Sequence, residues 1–227
     1  MDLDEVKSNC GNIYGFENVF LEKGSPEKPI FIFKRDVGNL KTEGQQITIP
    51  AGHLGVVTEV HLGIIISESG AEIPKEKALD YVAGYTVALN SRLRASEYVL
   101  IPKENHIRQT IEFESDVIIS SVISKTSLPH PNAAQIWATV NEKKIQESFL
   151  TEGRLTIQEI IEKISQIVTL EKGDIVLAGS PPGATYIKSG DLIEFGIEGV
   201  IRAECFVRKD AERRASSVDL GSGHEVY

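Results

Sequence analysis

Glu59 and His61 stand two residues apart inside the run Gly55-Val56-Val57-Thr58-Glu59-Val60-His61-Leu62-Gly63-Ile64-Ile65-Ile66. The run is rich in β-branched residues and reads as a strand, where alternate side chains share a face. Glu59 and His61 therefore project together, beside Val57, Gly63 and Ile65. A carboxylate among apolar neighbours costs several kcal/mol of desolvation unless it is paired or holds a metal. A Glu-His ion pair meets that demand, and so does a divalent cation bound by both side chains. The spacing leaves both open, because Glu-x-His is short and common.

The elements that must position this pair are mostly strands. Further β-rich runs bounded by Gly, Pro and Asn cover Pro29 to Lys34, Gln46 to Pro50, Tyr81 to Asn90, Val117 to Ser124, Ala134 to Asn141, Asp174 to Ala178 and Asp191 to Lys209. Helical periodicity is clear where Ile157, Ile160, Ile161, Ile164 and Val168 fall on one face, with Thr156 and Glu159 spaced as a capping box. Two shorter helices are expected, one from Gly15 to Lys23 with Gly24 as its stop and one after Asn90. Strands outnumber helices and do not alternate regularly with them. The expected class is α+β, a mainly-β mixed-sheet roll with helices packed outside. Neither a dinucleotide-type nor a P-loop glycine motif occurs, so nucleotide-loop chemistry is unsupported.

A chain of 227 residues with 41% hydrophobic and 25% charged content can bury one real core, and the expected domain spans 1–208. With 24 Lys plus Arg against 33 Asp plus Glu, the net charge of −9 disfavours nucleic acid as a partner. A small anionic substrate would need local positive charge. Cys10 and Cys205 lie near opposite ends and cannot make a disulfide framework. No apolar run reaches membrane-spanning length, so no membrane partner is expected. The acidic start Met1-Asp2-Leu3-Asp4-Glu5 is unlike a presequence. The expected location is cytoplasmic, or mitochondrial if this form lacks a presequence. Residues 209–227 turn polar and small and read as a flexible tail, where Arg213-Arg214-Ala215-Ser216 resembles a basophilic kinase site by chance. Trp137 reads as core.

A second set of residues extends the picture. Thr58-Glu59-Val60-His61-Leu62, Ala83-Gly84-Tyr85-Thr86-Val87-Ala88-Leu89-Asn90 and Gly173-Asp174-Ile175-Val176-Leu177-Ala178-Gly179-Ser180-Pro181-Pro182-Gly183 together resemble the fumarylacetoacetate hydrolase family. Pro29-Ile30-Phe31-Ile32-Phe33-Lys34, Val140-Asn141 with Gln146, and Gly190-Asp191-Leu192-Ile193-Glu194 match in the same order, across roughly residues 10–207. The resemblance implies the C-terminal-domain roll of that family, a homodimer, and a divalent cation that chelates a 2-oxo acid and stabilises its enolate.

The resemblance places Glu59, His61 and Asn90 at the metal, where the family has three carboxylates. Losing two of them weakens a hard cation, and imidazole favours Mn²⁺ or Zn²⁺ over Mg²⁺, so a weak divalent site is expected. Glu17 and Phe20 fall where hydrolytic members carry a water-activating His and Glu, which breaks that pair. The family's catalytic Lys falls on Ile111, with Lys103 a substitute, and an oxyanion-stabilising Gln becomes Glu97. Glu17 and Lys103 are thus the expected catalytic residues. Lys34, Arg94, Gln146, Gly179 and Ser180 are the expected substrate-binding ones. The losses favour a diverged, weakly active or non-catalytic binding or assembly protein. The alternative is a metal-dependent decarboxylase, tautomerase or acylpyruvate hydrolase acting on a small 2-oxo or β-diketo acid. Hydrolysis is the least favoured, because it needs activated water.

Overall fold

The computed structural model describes residues 2–93 and 114–210. Helix α1 (Leu3–Asn9) opens the chain, capped by Asp2, whose carboxylate accepts the Glu5 amide. Ten strands follow: β1 (Ile13–Glu17), β2 (Phe31–Arg35), β3 (Leu40–Thr42), β4 (Ile47–Ile49), β5 (Gly55–Ile66), β6 (Val82–Arg92), β7 (Glu114–Ile119), β8 (Ile123–Ser124), β9 (Gln135–Val140) and β10 (Lys143–Phe149). Helix α2 (Ile157–Ser165) then leads to β11 (Ile175–Leu177), β12 (Thr185–Lys188), β13 (Leu192–Ile197) and β14 (Ile201–Lys209).

The β-branched run expected to form a strand does so as β5, and it pairs antiparallel with β6 at the centre of the larger sheet. That sheet is mixed, ordered β2-β1-β11-β5-β6-β7-β3, with β12 also on β5 and β8 on β6. A second sheet, ordered β10-β9-β13-β14-β4, packs beside it. Val60, Leu62 and Ile64 on one face of β5 are fully buried in the main core, with Ile136, Ala138 and Phe195 of the second sheet. Burying each such side chain contributes about 1.5–3 kcal/mol. The opposite face is apolar at one end, where Ile65 joins Ile13 and Ile175. Its other end carries Glu59 and His61, so polarity changes along one face of one strand.

Helix α2 forms as its periodicity requires, burying Ile157, Ile160, Ile161 and Ile164. Thr156 and Glu159 complete the capping box reciprocally.

Four sequence expectations are corrected. Gly15 to Lys23 is not helical: Gly15 sits inside β1, which pairs parallel with β11 and antiparallel with β2. Ring packing of Phe33 over Gly15 and two strand partners override local propensity there. After Asn90 the chain stays extended through Arg92 in β6, and the remainder of that expected helix lies outside the described residues. Val117 to Ser124 divides into β7 and β8. Trp137 is half-buried beside a surface groove with Val200 and Ile201, because the outer face of β9 is not covered. The strands β3, β10 and β12 were not anticipated. Strand β14 runs through Lys209, and the kinase-like Arg213-Arg214-Ala215-Ser216 lies outside the described residues.

Candidate active site

The β5–β6 register places Glu59 directly opposite Asn90 and His61 opposite Ala88. Arg92 is opposite Val57, one diagonal step from Glu59 on the same face. Three groups consequently converge on one atom. Glu59 Oε1 accepts from Arg92 Nη1 at 2.7 Å and from Asn90 Nδ2 at 3.2 Å, and His61 Nε2 lies 3.3 Å away. Burial pushes the Glu59 carboxyl up, but the His61 ring, the Arg92 guanidinium and the Asn90 amide outweigh it and hold the group at about 2. His61 is 1% exposed, with the Phe33 ring edge-on at a centroid distance of 6.5 Å.

A cavity of about 430 Å³ opens over this cluster. Glu59, His61 and Arg92 contribute its strand-borne wall, while Glu17 reaches it from the end of β1. Phe20 and Lys28 come from the loop after β1, and Ser180 to Ala184 from the turn after β11. Arg154 ties down the ends of that loop, its Nη2 donating to the Asn18 carbonyl at 2.7 Å and to the Lys28 carbonyl at 2.8 Å. The turn is held by backbone conformations that favour glycine: Gly179 has φ +96° and Gly183 φ +115°, and a Cβ on Gly183 would lie 2.1 Å from the Ile145 carbonyl oxygen.

The structure brings Glu59, His61 and Asn90 together and sets Glu17 and Ser180 on the cavity wall. It separates other expected residues from the cavity. Lys34 is exposed, with its ammonium over the Tyr14 ring at 5.7 Å, because strand alternation turns it away. Gln146 is buried and spends its amide internally: it accepts the Val60 amide at 2.8 Å and donates to Ser180 Oγ at 2.7 Å and the Pro181 carbonyl at 2.6 Å. Gly179 shapes the turn by packing against Val19 and does not line the cavity. Arg94 and Lys103 lie outside the described residues.

Arg92 and Lys28 escaped the sequence reading. A signal for Arg92 existed: Asn90-x-Arg92 repeats the two-residue spacing of Glu59-x-His61 on the partner strand, so both pairs share a face. Lys28 sits in an irregular loop, where spacing carries no such information.

Divalent metal requires several acceptor atoms converging on a vacant point, whereas here several groups converge on one acceptor. Oε1 of Glu59 is already taken by a guanidinium, and Asn90 turns its N–H₂ toward it. Among the described residues, no cluster of three or more His, Cys, Asp or Glu is arranged for a metal ion. With Arg92 in place, the set does not fit a divalent cation. His61 Nδ1 and Asn90 Oδ1 are buried without a hydrogen bond, so polar atoms remain behind the guanidinium.

The model of the fumarylacetoacetate (FAA) hydrolase C-terminal family matches residues 7–208. The chain is 34% identical over 167 residues to "Oxaloacetate tautomerase FAHD1, mitochondrial" of Mus musculus, covering 74% of this chain and 76% of that protein. It is 31% identical over 175 residues to "Oxaloacetate decarboxylase, mitochondrial" of Dictyostelium discoideum, covering 77% of this chain and 80% of that protein. Among solved structures it resembles the fumarylpyruvate hydrolase of Pseudomonas aeruginosa in complex with Mn²⁺ and pyruvate. That match has TM-score 0.73 and 19% identity, and covers 88% of this chain and 91% of the other. The Mus musculus and Dictyostelium discoideum relatives are named as enzymes, which supports the catalytic alternative; nothing in the comparisons supports the non-catalytic reading.

Proposed function

The chain belongs to the fumarylacetoacetate hydrolase family, and we propose that it is an enzyme acting on a small 2-oxo acid of the oxaloacetate type, catalysing keto–enol interconversion. The observation that carries this reading is a single small cavity holding a carboxylate, an imidazole and a guanidinium: Glu17, His61 and Arg92. Its volume of about 430 Å³ suits a small ligand.

Enolisation moves one proton from the carbon beside the ketone to the ketone oxygen and needs no co-reactant. In this proposal Glu17 accepts the carbon-bound proton while an N–H of His61 gives a proton to the ketone oxygen, and the proton on Glu17 returns to His61 through water, which regenerates the pair. Arg92 pairs with a substrate carboxylate, while Ser180 offers a hydroxyl from the facing wall. Decarboxylation of a 2-oxo acid with a β-carboxylate would pass through the same enolate, with the His61 N–H on its oxygen. Hydrolysis is disfavoured because Phe20, which can neither accept a proton nor orient water, forms part of the cavity wall.

A two-fold homodimer near twice 24.9 kDa belongs to this proposal and is read by light scattering. A mitochondrial setting is the one the names of the relatives support.

The test follows the ultraviolet absorbance of enol-oxaloacetate, in chelator and with Mn²⁺. We expect acceleration over buffer by about 10²-fold or more, falling at least about tenfold in Glu17→Gln and in His61→Phe. No acceleration in either medium would sink the proposal.

A further inference from the structure

We propose that the guanidinium of Arg92 is the resident cation of this site: it occupies the place on Glu59 that a divalent ion would take, so carboxylate ligands bind without metal, and metal enters only when Arg92 leaves. The assignment rests on the reading of the cavity as a 2-oxo acid site and names the group that recognises the acid.

The charge balance comes first. Among the described residues, Glu59 is the sole carboxylate within the converging cluster, and Arg92 pairs with it at 2.7 Å, with side chains 10% and 28% exposed. A divalent ion entering here would meet a neutralised ligand with a like charge beside it. Orientation agrees. Asn90 presents its N–H₂ rather than its oxygen to Glu59, the arrangement suited to a carboxylate paired with a guanidinium.

The second argument is what Arg92 conceals. His61 Nδ1 and Asn90 Oδ1 are buried without hydrogen-bond partners, and His61 Nε2 lies 3.3 Å from Glu59 Oε1. Once the guanidinium is removed and the amide turned over, Glu59, His61 and Asn90 offer carboxylate, imidazole and carbonyl donors. Such a set favours Mn²⁺ or Zn²⁺ over Mg²⁺.

The third is reach. A guanidinium carries five N–H donors in a planar fork, so the group that holds Glu59 can also hold a carboxylate in the cavity it lines. Lys28, the other cation on the wall, is an exposed point charge in a loop.

Calorimetric titration of the full chain with oxalate, a planar dicarboxylate, tests this. Wild-type protein should bind oxalate in EDTA as tightly as in excess Mn²⁺, within about twofold, and bind Mn²⁺ alone weakly. Arg92→Gln should lose oxalate affinity in EDTA by about 10- to 100-fold. The same variant should gain at least about tenfold in Mn²⁺ affinity, read from loss of the free-ion paramagnetic resonance signal. Arg92→Lys keeps the charge and should keep Mn²⁺ binding weak. Wild-type oxalate binding that requires Mn²⁺, absence of oxalate binding in both media, or equal Mn²⁺ affinity in wild type and Arg92→Gln would each overturn the assignment. If circular dichroism shows Arg92→Gln unfolded, the wild-type titrations decide. Absence of oxaloacetate turnover alongside the expected binding would remove the proposed activity and leave Arg92 as the resident cation.

Discussion

Gln146 and Ser180 are joined by a 2.7 Å hydrogen bond from Gln146 Nε2 to the Ser180 hydroxyl, although the two belong to different walls of the fold. The other end of the same amide accepts the Val60 N–H, between Glu59 and His61. One buried side chain therefore fixes the distance between the turn and the strand that face each other across the cavity. Gln146→Leu keeps much of the volume but leaves Val60 N–H and the Pro181 carbonyl without this partner. An unsatisfied buried group costs about 1–3 kcal/mol, so urea unfolding should show a loss of about 2–4 kcal/mol. A loss below about 0.5 kcal/mol would mean that the glycine conformations hold the turn unaided.

Glu59 sets a pH dependence. Its folded carboxyl lies at about 2, below its ordinary 4.5. A depressed value means stability present above pH 4.5 and lost as pH falls toward 2, to an upper extent of about 3 kcal/mol. The Glu159 carboxyl, held at about 2 by Lys75 and the Thr156 cap, titrates in the same window but is largely solvated and contributes much less. Denaturation followed from pH 5 to pH 2 should show a shallower acid loss in Glu59→Gln than in wild type. Equal slopes would remove Glu59 as a source of acid lability.

Gly15 is a packing requirement. A Cβ there would lie 2.1 Å from Cζ of Phe33, the ring that also meets His61 edge-on. Gly15→Ala should cost about 1–3 kcal/mol by overpacking. Because the displaced ring touches His61, turnover of oxaloacetate should fall as well. Gly24→Ala, at an open position with φ +84°, tests the contrary case: strain without a clash and without an effect on His61.

The two thiols should be inert in the native protein. Burial, then the Asp174 charge, pushes Cys10 up to about 12, and burial, then the Asp116 charge, does the same for Cys205. Ellman's reagent at pH 8 should label two thiols in urea and none in buffer on the same timescale. Rapid labelling of native protein would show that one of the two is accessible.

Legibility in the sequence follows how local each cause is. Strand β5 and helix α2 were readable because period-two and period-3.6 patterns belong to the segment itself, and the α2 cap is closed within four residues. The pairing of Glu59 with His61 was readable for the same reason. Their meeting with Asn90 needed the β5–β6 register, supplied by resemblance alone. Glu17 on a strand was unreadable, since β11 and β2 impose that conformation from distant positions. So was the fate of Gln146, expected from the resemblance to bind substrate, whose amide this fold spends on holding its own wall. Arg92 is within reach of period-two reasoning through the Asn90-x-Arg92 spacing, but the resemblance gives it no role.

The parallel pairing of β1 with β11 has a consequence for biosynthesis. Strand β1, which ends in Glu17, finds its β11 partner only after nearly four-fifths of the chain has emerged; beside that pair, Asn12 bonds Asp174 at 3.0 Å across a separation of 162 positions. A nascent chain halted before that point exposes an apolar strand with one antiparallel neighbour, β2, and lacks the sheet that joins β1 to β5. Slow closure of such a long loop is the expected bottleneck of folding. Glu17 at the end of β1 is thus joined to the sheet that carries His61 only after most of the scaffold has been translated.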